Sequence, residues 1–365
     1  MASAQSGLSR RRGGAASSPA NNGSGGPTSP ALGSHQQGSS YLSSSTNSSR
    51  PTTPQQPTGH KVAYDERDME SGEDRIMPKL TLMEEVLLLG LKDKQGYLSF
   101  WNDNISYTLR GCIIIELALR HRIAMVRDPN RRRFPLADRY IEVIDDRLTG
   151  EVLLDEALKM MKVSERMSVG TWIDLMSGET WNVMKIGYQL KQVRERLAKG
   201  LVDKGVLRTE KRNFLLFDMA THPVSDPTFK DDVLRRTLGL LTARTAAVPT
   251  SNLYGEQVRY RTIRAVTMVC AAFAANVLEN ALGGAFAKCD ELLAEYSQWP
   301  FGAVRGSGGA GIGTGTSAAA AESANLAEIN RLARAELGAE GSGEAQAQVE
   351  LHMEIVAAVL SVYSR

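Results

Sequence analysis

The sequence predicts a mainly α protein: one globular helical domain with short β-hairpins, preceded by a disordered tail. Three observations predict it. From about residue 80 onward, apolar residues recur at helical spacing in one segment after another, as at Ile186, Leu190, Val193, Leu197 and Leu201. In two places, 123–144 and 206–217, short apolar runs bracket a polar run, which is the pattern of a hairpin. Residues 1 to about 60 are Ser, Gly, Pro, Asn and Gln with almost no large apolar side chains, too little to offset the entropy of ordering.

The bulk numbers bound the function. A chain of 365 residues that is 42% apolar has material for a sizeable core in one or two domains. A net charge of +2 gives no global attraction to nucleic acid or acidic lipid, so any basic surface must be local. Cys112, Cys270 and Cys289 make neither a disulfide framework nor a metal-ligand spacing. They suit a reducing compartment and read as small buried hydrophobes. The N-terminus has no apolar h-region, so no signal peptide is expected. The longest apolar run, Ala265 to Leu278, is interrupted by Asn276. It is shorter than the roughly 18 to 20 residues of a membrane span and reads as a core helix. The expectation is a soluble chain that meets a membrane, if at all, from its surface.

The elements follow in order. The tail holds four arginines and no acid, three of them contiguous: Arg10, Arg11 and Arg12. It reads as a solubilising tail or as a short motif that docks an acidic partner. An acidic lead-in ends at 77, and Thr81-Leu82-Met83-Glu84 fits a capping box opening a helix over Val86–Leu89. Lys92 to Trp101 is a turn with a short extended piece. Ile105 to Arg122 has a dense apolar centre and reads as a mostly buried helix. Ile123–Val126 and Tyr140–Ile144 bracket a polar loop containing Arg131-Arg132-Arg133, the first hairpin. Amphipathic helices follow over 152–162 and 169–176, then from Lys185 to Val202, after which Gly205 stops the helix. Val206-Leu207 and Phe214–Phe217 flank the polar run Arg208–Asn213, the second hairpin. Helices are expected over 231–241, 258–282 and 286–296. The domain boundaries read as a tail over 1–78, a helical core over 79–301, a low-complexity flexible insert over 302–350, and a C-terminal helix over 351–365 that docks on the core. Within the insert, Ala318 to Gln348 is Ala/Glu-rich and is expected to be partly helical but poorly packed.

Catalytic chemistry is not visible. There is no P-loop, no GxGxxG and no GxSxG. The five histidines are scattered, and Asp155-Glu156 and Glu84-Glu85 read as solvated helix faces. No enzyme, cofactor or metal site is expected. What stands out is charge: nine of the residues from Trp181 to Leu215 are Lys or Arg, against three acids. Lys191 and Arg194, three apart, read as sharing a helix face, as do Arg196 and Lys199. Trp101 sits in a polar turn, where an exposed Trp beside cations is a membrane-interface signature. Arg110 opens the next helix. From the residues alone, such a basic face is more often a solvated one than a ligand site. A basic helix followed by a hairpin is also how a winged-helix nucleic-acid-binding module begins. The apolar run Phe214-Leu215-Leu216-Phe217 and the near-zero net charge disfavour that alternative.

Longer strings carry a resemblance. SFWNDNISYTLRGCIIIELALR (99–120), TGEVLLDEALK (149–159), LMSGETWN (175–182), YQLKQVRERLAKGLVDKGVLRTEKRNFLLFDMATHP (188–223) and VLENAL (277–282) resemble the Golgi phosphoprotein three family. The likeness runs from about Leu80 to Phe301. It implies a mostly helical domain with a protruding hairpin. It implies peripheral binding to phosphatidylinositol 4-phosphate on the cytoplasmic face of Golgi membranes, with a cytosolic pool. It further implies capture of coatomer and of the cytosolic tails of Golgi glycosyltransferases, for their retention and retrograde transport. The family's headgroup pocket falls on Trp101, Arg110, Lys191 and Arg194. Its hairpin falls on Glu210 to Thr221, with Phe214 and Leu215 as the membrane-inserting side chains and the same hairpin implicated in self-association. An N-terminal arginine cluster linked to coatomer in fungal members is similar to Arg10-Arg11-Arg12. No nucleic-acid partner is implied. The segment 240–258 and the 302–348 insert depart from the family pattern.

Overall fold

The computed structural model describes residues 77–98, 104–213, 218–242, 248–278, 285–302 and 317–365, with backbone alone over 317–323. The expected tail with Arg10, Arg11 and Arg12, the side chain of Trp101, and Phe214 and Leu215 lie outside the described residues. Ten α-helices and two small antiparallel sheets make up the described part. In order they are α1 (Leu82–Gly90), α2 (Asn104–Leu119), β1 (Ile123–Met125), β2 (Tyr140–Val143), α3 (Val152–Val163), β3 (Met167–Ser168), α4 (Val169–Ser177), α5 (Val193–Asp203), β4 (Glu210–Asn213), β5 (Asp218–Thr221), α6 (Pro227–Thr242), α7 (Arg261–Ala274), α8 (Phe286–Tyr296), α9 (Ser317–Gly338) and α10 (Glu344–Tyr363). The mainly α class read from the sequence is the class observed.

The core forms around helices that are apolar on every side. In α10, every residue from Leu351 to Leu360 is buried, and the helix packs against α2, α4, α7, α8 and β1. A helix buried on every side is surrounded by protein, so the C-terminal helix is a centrepiece rather than an outer layer, with its buried His352 and Glu354 both partnered. It begins at Glu344, earlier than expected. The α9 helix also packs better than its Ala-rich composition suggests, burying Leu326, Ile329 and Ala333 against the core. The apolar positions are few but fall on one side of the helix.

The local signals at α1 hold. Thr81 accepts from the Glu84 amide at 3.4 Å, and the Glu84 carboxylate accepts from the Thr81 amide at 2.8 Å, completing the capping box. Glu84 and Glu85, read as a solvated face, are instead buried and paired. Lys204 donates to Glu84 at 2.8 Å, and Arg236 donates to Glu85 at 2.6 Å. Burial pushes both carboxyls upward despite those cations. Adjacent carboxylates diverge around the helix, but α1 is enclosed on both of the faces they occupy.

The first sheet pairs β1 with β2 as expected, Ile123 opposite Val143 and Met125 opposite Ile141. A third strand, the two-residue β3, adds Met167 opposite Ile141 and is too short to leave a sequence pattern. Four corrections concern α5, the second hairpin and α7. The helix expected over 185–202 is two elements: a 3-10 turn over Val183–Tyr188, then α5 from Val193. Gln192 between them takes a left-handed φ of 54°, which breaks the helix while the apolar spacing runs straight through. In the second hairpin the ladder uses polar residues, Glu210 opposite Thr221 through Asn213 opposite Asp218. Lys211, Arg212 and Asn213, expected at the tip, are ladder residues, and 214–217 fall between the strands. The helix expected from 258 begins only at Arg261, after Tyr260 at a left-handed φ of 54°.

Candidate anion-binding site at the start of α5

The site is built on a closed neck. α4 ends at Ser177 and α5 starts at Val193, and the chain between them returns on itself where the Leu190 amide donates to the Met176 carbonyl at 3.1 Å. Arg110, two turns into α2, ties that neck from behind. Its Nε donates to the Met176 carbonyl at 3.3 Å, one terminal nitrogen to the Leu190 carbonyl at 2.7 Å, and the other to the Ser106 carbonyl at 2.7 Å. The side chain is only 7% exposed. Burial first, then the charge of nearby Arg194, push its guanidinium down to about 10, so it stays protonated at neutral pH. A guanidinium has five N–H donors. Three are spent on carbonyls, and no carboxylate neutralises this cation directly.

Arg194 is the second residue of α5, and Lys191 precedes the residue that caps it. The two are therefore not on one helix face, as the spacing suggested. The left-handed turn at Gln192 separates them, and Arg110's bond to the Leu190 carbonyl fixes the backbone just before Lys191. Gln192 makes no side-chain bond to the helix it caps. The free amides and positive dipole end of the first turn thus sit beside the cations. Among the described residues, Lys191 and Arg194 make no ion pair or hydrogen bond, and Glu195 is the acid nearest in sequence. The second basic pair read from the sequence behaves differently: Arg196 is held by Glu156 at 2.5 Å. The arrangement can bind a phosphate: an uncapped helix start, two unneutralised cations, and a third behind them fixing the backbone.

Beyond Arg194 a cleft of about 280 Å³ opens between α5 and the hairpin, lined by Leu91, Leu98, Arg194, Glu195, Met219 and His222. The hairpin base is anchored there. The His222 amide donates to the Gly96 carbonyl at 2.8 Å, the Val224 amide to the Asp93 carbonyl at 3.0 Å, and Arg212 to the Lys94 carbonyl. Gly96 has a left-handed φ of 69°, and a Cβ there would run into the backbone of His222 and Pro223. Leu98 on the cleft wall and Asn104 at the start of α2 flank the segment that holds Trp101. A second cleft, of about 300 Å³ and lined by Ile141, Met161, Lys162, Arg166 and Trp172, contains none of the sequence-predicted site residues.

Arg110 thus lies beside Arg194 and bonds the residue before Lys191, while Trp101, Phe214 and Leu215 lie outside the described residues. Sequence reasoning missed the helix start itself. Its signal was Glu195 in the first turn, which the unbroken apolar period masked.

Comparison with known proteins agrees over most of the chain. Residues 82–309 match the family model described as Golgi phosphoprotein 3 (GPP34). The chain is 54% identical over 314 residues to vacuolar protein sorting-associated protein 74 of Schizosaccharomyces pombe, which spans 84% of this chain and 87% of that one. It is 50% identical over 314 residues to the protein of the same name from Eremothecium gossypii, spanning 84% and 89%.

Proposed function

The chain belongs to the Golgi phosphoprotein 3 family, and from that premise we propose that it is a non-enzymatic, peripheral Golgi sorting adaptor that reads phosphatidylinositol 4-phosphate at the start of α5. In this reading Lys191 and Arg194 grip the 4-phosphate through charge-assisted hydrogen bonds. Arg110 holds the backbone that presents them and keeps two donors for the ligand. Trp101 packs against the inositol ring or enters the membrane interface. Phe214 and Leu215, between β4 and β5, supply a second attachment, since one headgroup contact is too weak to hold a protein at a membrane. The same hairpin supports self-association. Arg10-Arg11-Arg12 dock coatomer, and the adaptor couples it to the cytosolic tails of Golgi glycosyltransferases for retention and retrograde transport. The observation that carries the lipid reading is the pair of cations at an uncapped helix start with no carboxylate partner among the described residues.

Sedimentation with a panel of phosphoinositide vesicles, with a nucleic-acid control, tests it. Vesicles bearing phosphatidylinositol 4-phosphate should bind best and the control not at all. Each of Lys191→Ala and Arg194→Ala should cost about 1.5–3 kcal/mol, the range for hydrogen bonds to charged groups. Full binding by the double variant overturns the site, and binding to nucleic acid instead overturns the class. Phe214→Ser/Leu215→Ser should release the protein from vesicles while soluble headgroup still binds.

A further inference from the structure

The loop between α4 and α5 displays apolar side chains where a surface exposed only to water would not. Trp181 is fully exposed, and Val183 and Met184 are 76% and 87% exposed. With Ile186, also exposed, four large apolar residues fall within positions 181–186. Single exposed hydrophobes are ordinary, but a contiguous group marks an interaction surface.

The loop is a built structure. Its neck is closed by the Leu190–Met176 backbone bond and by Arg110. Its tip is a 3-10 turn capped by Asn182, whose side chain accepts from the Met184 amide at 3.0 Å. Tyr188 faces inward, edge-on to Trp172 at 5.8 Å between ring centroids, and accepts from Ser164 at 3.2 Å. Some of the loop's aromatic and aliphatic groups are thus seated in the core, while Trp181, Val183 and Met184 are held out of it.

We infer that this loop is a second bilayer-inserting element, which sets Trp181, Val183 and Met184 into the headgroup–acyl boundary of an anionic membrane beside the phosphate-reading site. The inference rests on the lipid reading proposed above. Three features select a membrane as the occupant. An indole is amphipathic and favours that boundary. On its C-terminal side the patch leads into Lys191 and Arg194, cations that complement acidic lipid, while within and before it Lys185 lies 3.8 Å from Glu165 and Glu179 is exposed. The loop also runs directly into Leu190-Lys191, and Arg110 bonds both ends of its neck. Loop tip and anion site therefore share one frame, so a headgroup held at α5 brings the loop to the lipid surface with it.

The experiment uses the full chain, its Trp181→Ser/Met184→Ser variant and its Trp181→Phe variant. Vesicles of phosphatidylcholine alone, with phosphatidylserine, or with phosphatidylinositol 4-phosphate are each prepared with and without brominated acyl chains. The double variant should bind phosphatidylinositol 4-phosphate vesicles about tenfold or more weakly, since it loses the burial of two apolar side chains. Its melting temperature and its affinity for soluble inositol 1,4-bisphosphate should match the parent. Bromine quenching of tryptophan emission should be smaller in Trp181→Phe than in the parent. Unchanged vesicle affinity with equal quenching overturns the inference and leaves the headgroup site standing. A lower mass of the double variant by light scattering before lipid is added also overturns it, because the patch then holds a second copy of the chain. If the parent binds phosphatidylserine vesicles with Trp181 quenched but does not prefer phosphatidylinositol 4-phosphate, the loop stands and the headgroup reading falls.

Discussion

Arg236 and Arg264 are 3% and 2% exposed, and each rests on carboxylates, whereas Lys191 and Arg194 at the start of α5 form no ion pair among the described residues. Arg236 bridges Glu85 at 2.6 Å and Asp232 at 3.1 Å and stacks 4.2 Å over the Tyr254 ring. Arg264 meets both oxygens of Glu116 at 3.0 and 3.1 Å. Burial alone would push the Glu116 carboxyl upward, but Arg264 and then Arg120 hold it down to about 2. Glu354 in the centre of α10 is likewise held by Arg131 and Arg139. The interior closes its charges internally because an unpaired ion there is too costly to desolvate. The α5 start leaves its cations open, which is what a surface that recruits an anion requires. Arg110 lies between the two cases, buried like the first set but bonded to carbonyls instead of carboxylates.

The largest expected effect breaks the closed side. Arg264→Ala leaves Glu116 in the core with Arg120 as its one remaining cation and the Leu82 amide, and should cost about 3–5 kcal/mol in urea unfolding. Glu116→Leu/Arg264→Met should recover part of that loss, because it removes the desolvation cost of the buried pair but leaves Arg120 without its Glu116 partner. Vesicle binding measured well below the melting temperature should be the same for both variants. A double variant no more stable than Arg264→Ala would show that the pair does more than cancel itself.

Arg110 should fall on both sides of the comparison. Arg110→Ala frees the Met176 and Leu190 carbonyls and loosens the neck, so stability should drop by about 1.5–3 kcal/mol. Headgroup affinity should drop with it. Arg110→Lys keeps the charge but not the fork, so it should restore little of either. If Arg110→Lys binds headgroup like the parent, charge alone is what the site takes from this residue.

These distinctions were unevenly legible in the sequence. The capping box, the buried character of α2, the helix stop at Gly205 and the first hairpin are local patterns, and local patterns can be read. The ion pairs were not readable: Glu116 and Arg264 are 148 positions apart, and nothing in either neighbourhood names the other. Gln192 is the instructive miss. Ile186, Leu190, Val193 and Leu197 keep a helical period across it, because burial selects side chains and not φ. The basic residues were therefore identified, but the geometry that makes them a site was not. The hairpin was legible in part: its expected bounds, Glu210 to Thr221, are those of β4 and β5, but the ladder is made by EKRN and DMAT and not by the apolar run between them in sequence.

A pH measurement extends the comparison to groups that the interior keeps neutral. His121 and His352 stack with ring centroids 4.4 Å apart, and each ring has one further partner, the Tyr260 hydroxyl at 2.8 Å and the Ile123 carbonyl at 2.8 Å. Burial, then the neighbouring His352, push His121 down to about 3, and burial lowers His352 as well. The unfolded chain takes protons near pH 6.5 while the folded chain does not. Stability from this source is therefore complete above pH about 6.5 and is lost as pH falls toward 3. At pH 5, His121 alone should lower the unfolding free energy by about 2 kcal/mol relative to pH 7. The His121 imidazole resonances should stay at their neutral positions to pH 5, and His352 should titrate below the usual histidine range. Titration of either ring near 6.5 in the folded protein would refute the buried, neutral pair.

The smallest expected effect is the sharpest test of the open site. Arg196 lies two residues beyond Arg194 on the same helix and carries the same charge, but Glu156 already holds it at 2.5 Å, with both side chains partly exposed. If membrane binding were a property of the basic stretch as a whole, removing either arginine would weaken it alike, by the ~1 kcal/mol that each cation near an acidic surface contributes. If binding belongs to cations left without a carboxylate, Arg196→Ala frees Glu156 and removes a cation already neutralised. Its cost should then be confined to the surface pair, about 0.2–1 kcal/mol of stability. Vesicle affinity should remain within about twofold of the parent, while Arg194→Ala falls by tenfold or more, as the loss of a charged hydrogen bond implies. Equal losses from the two variants, measured at one ionic strength, would move the protein from a site that selects a phosphate to a face that merely attracts one.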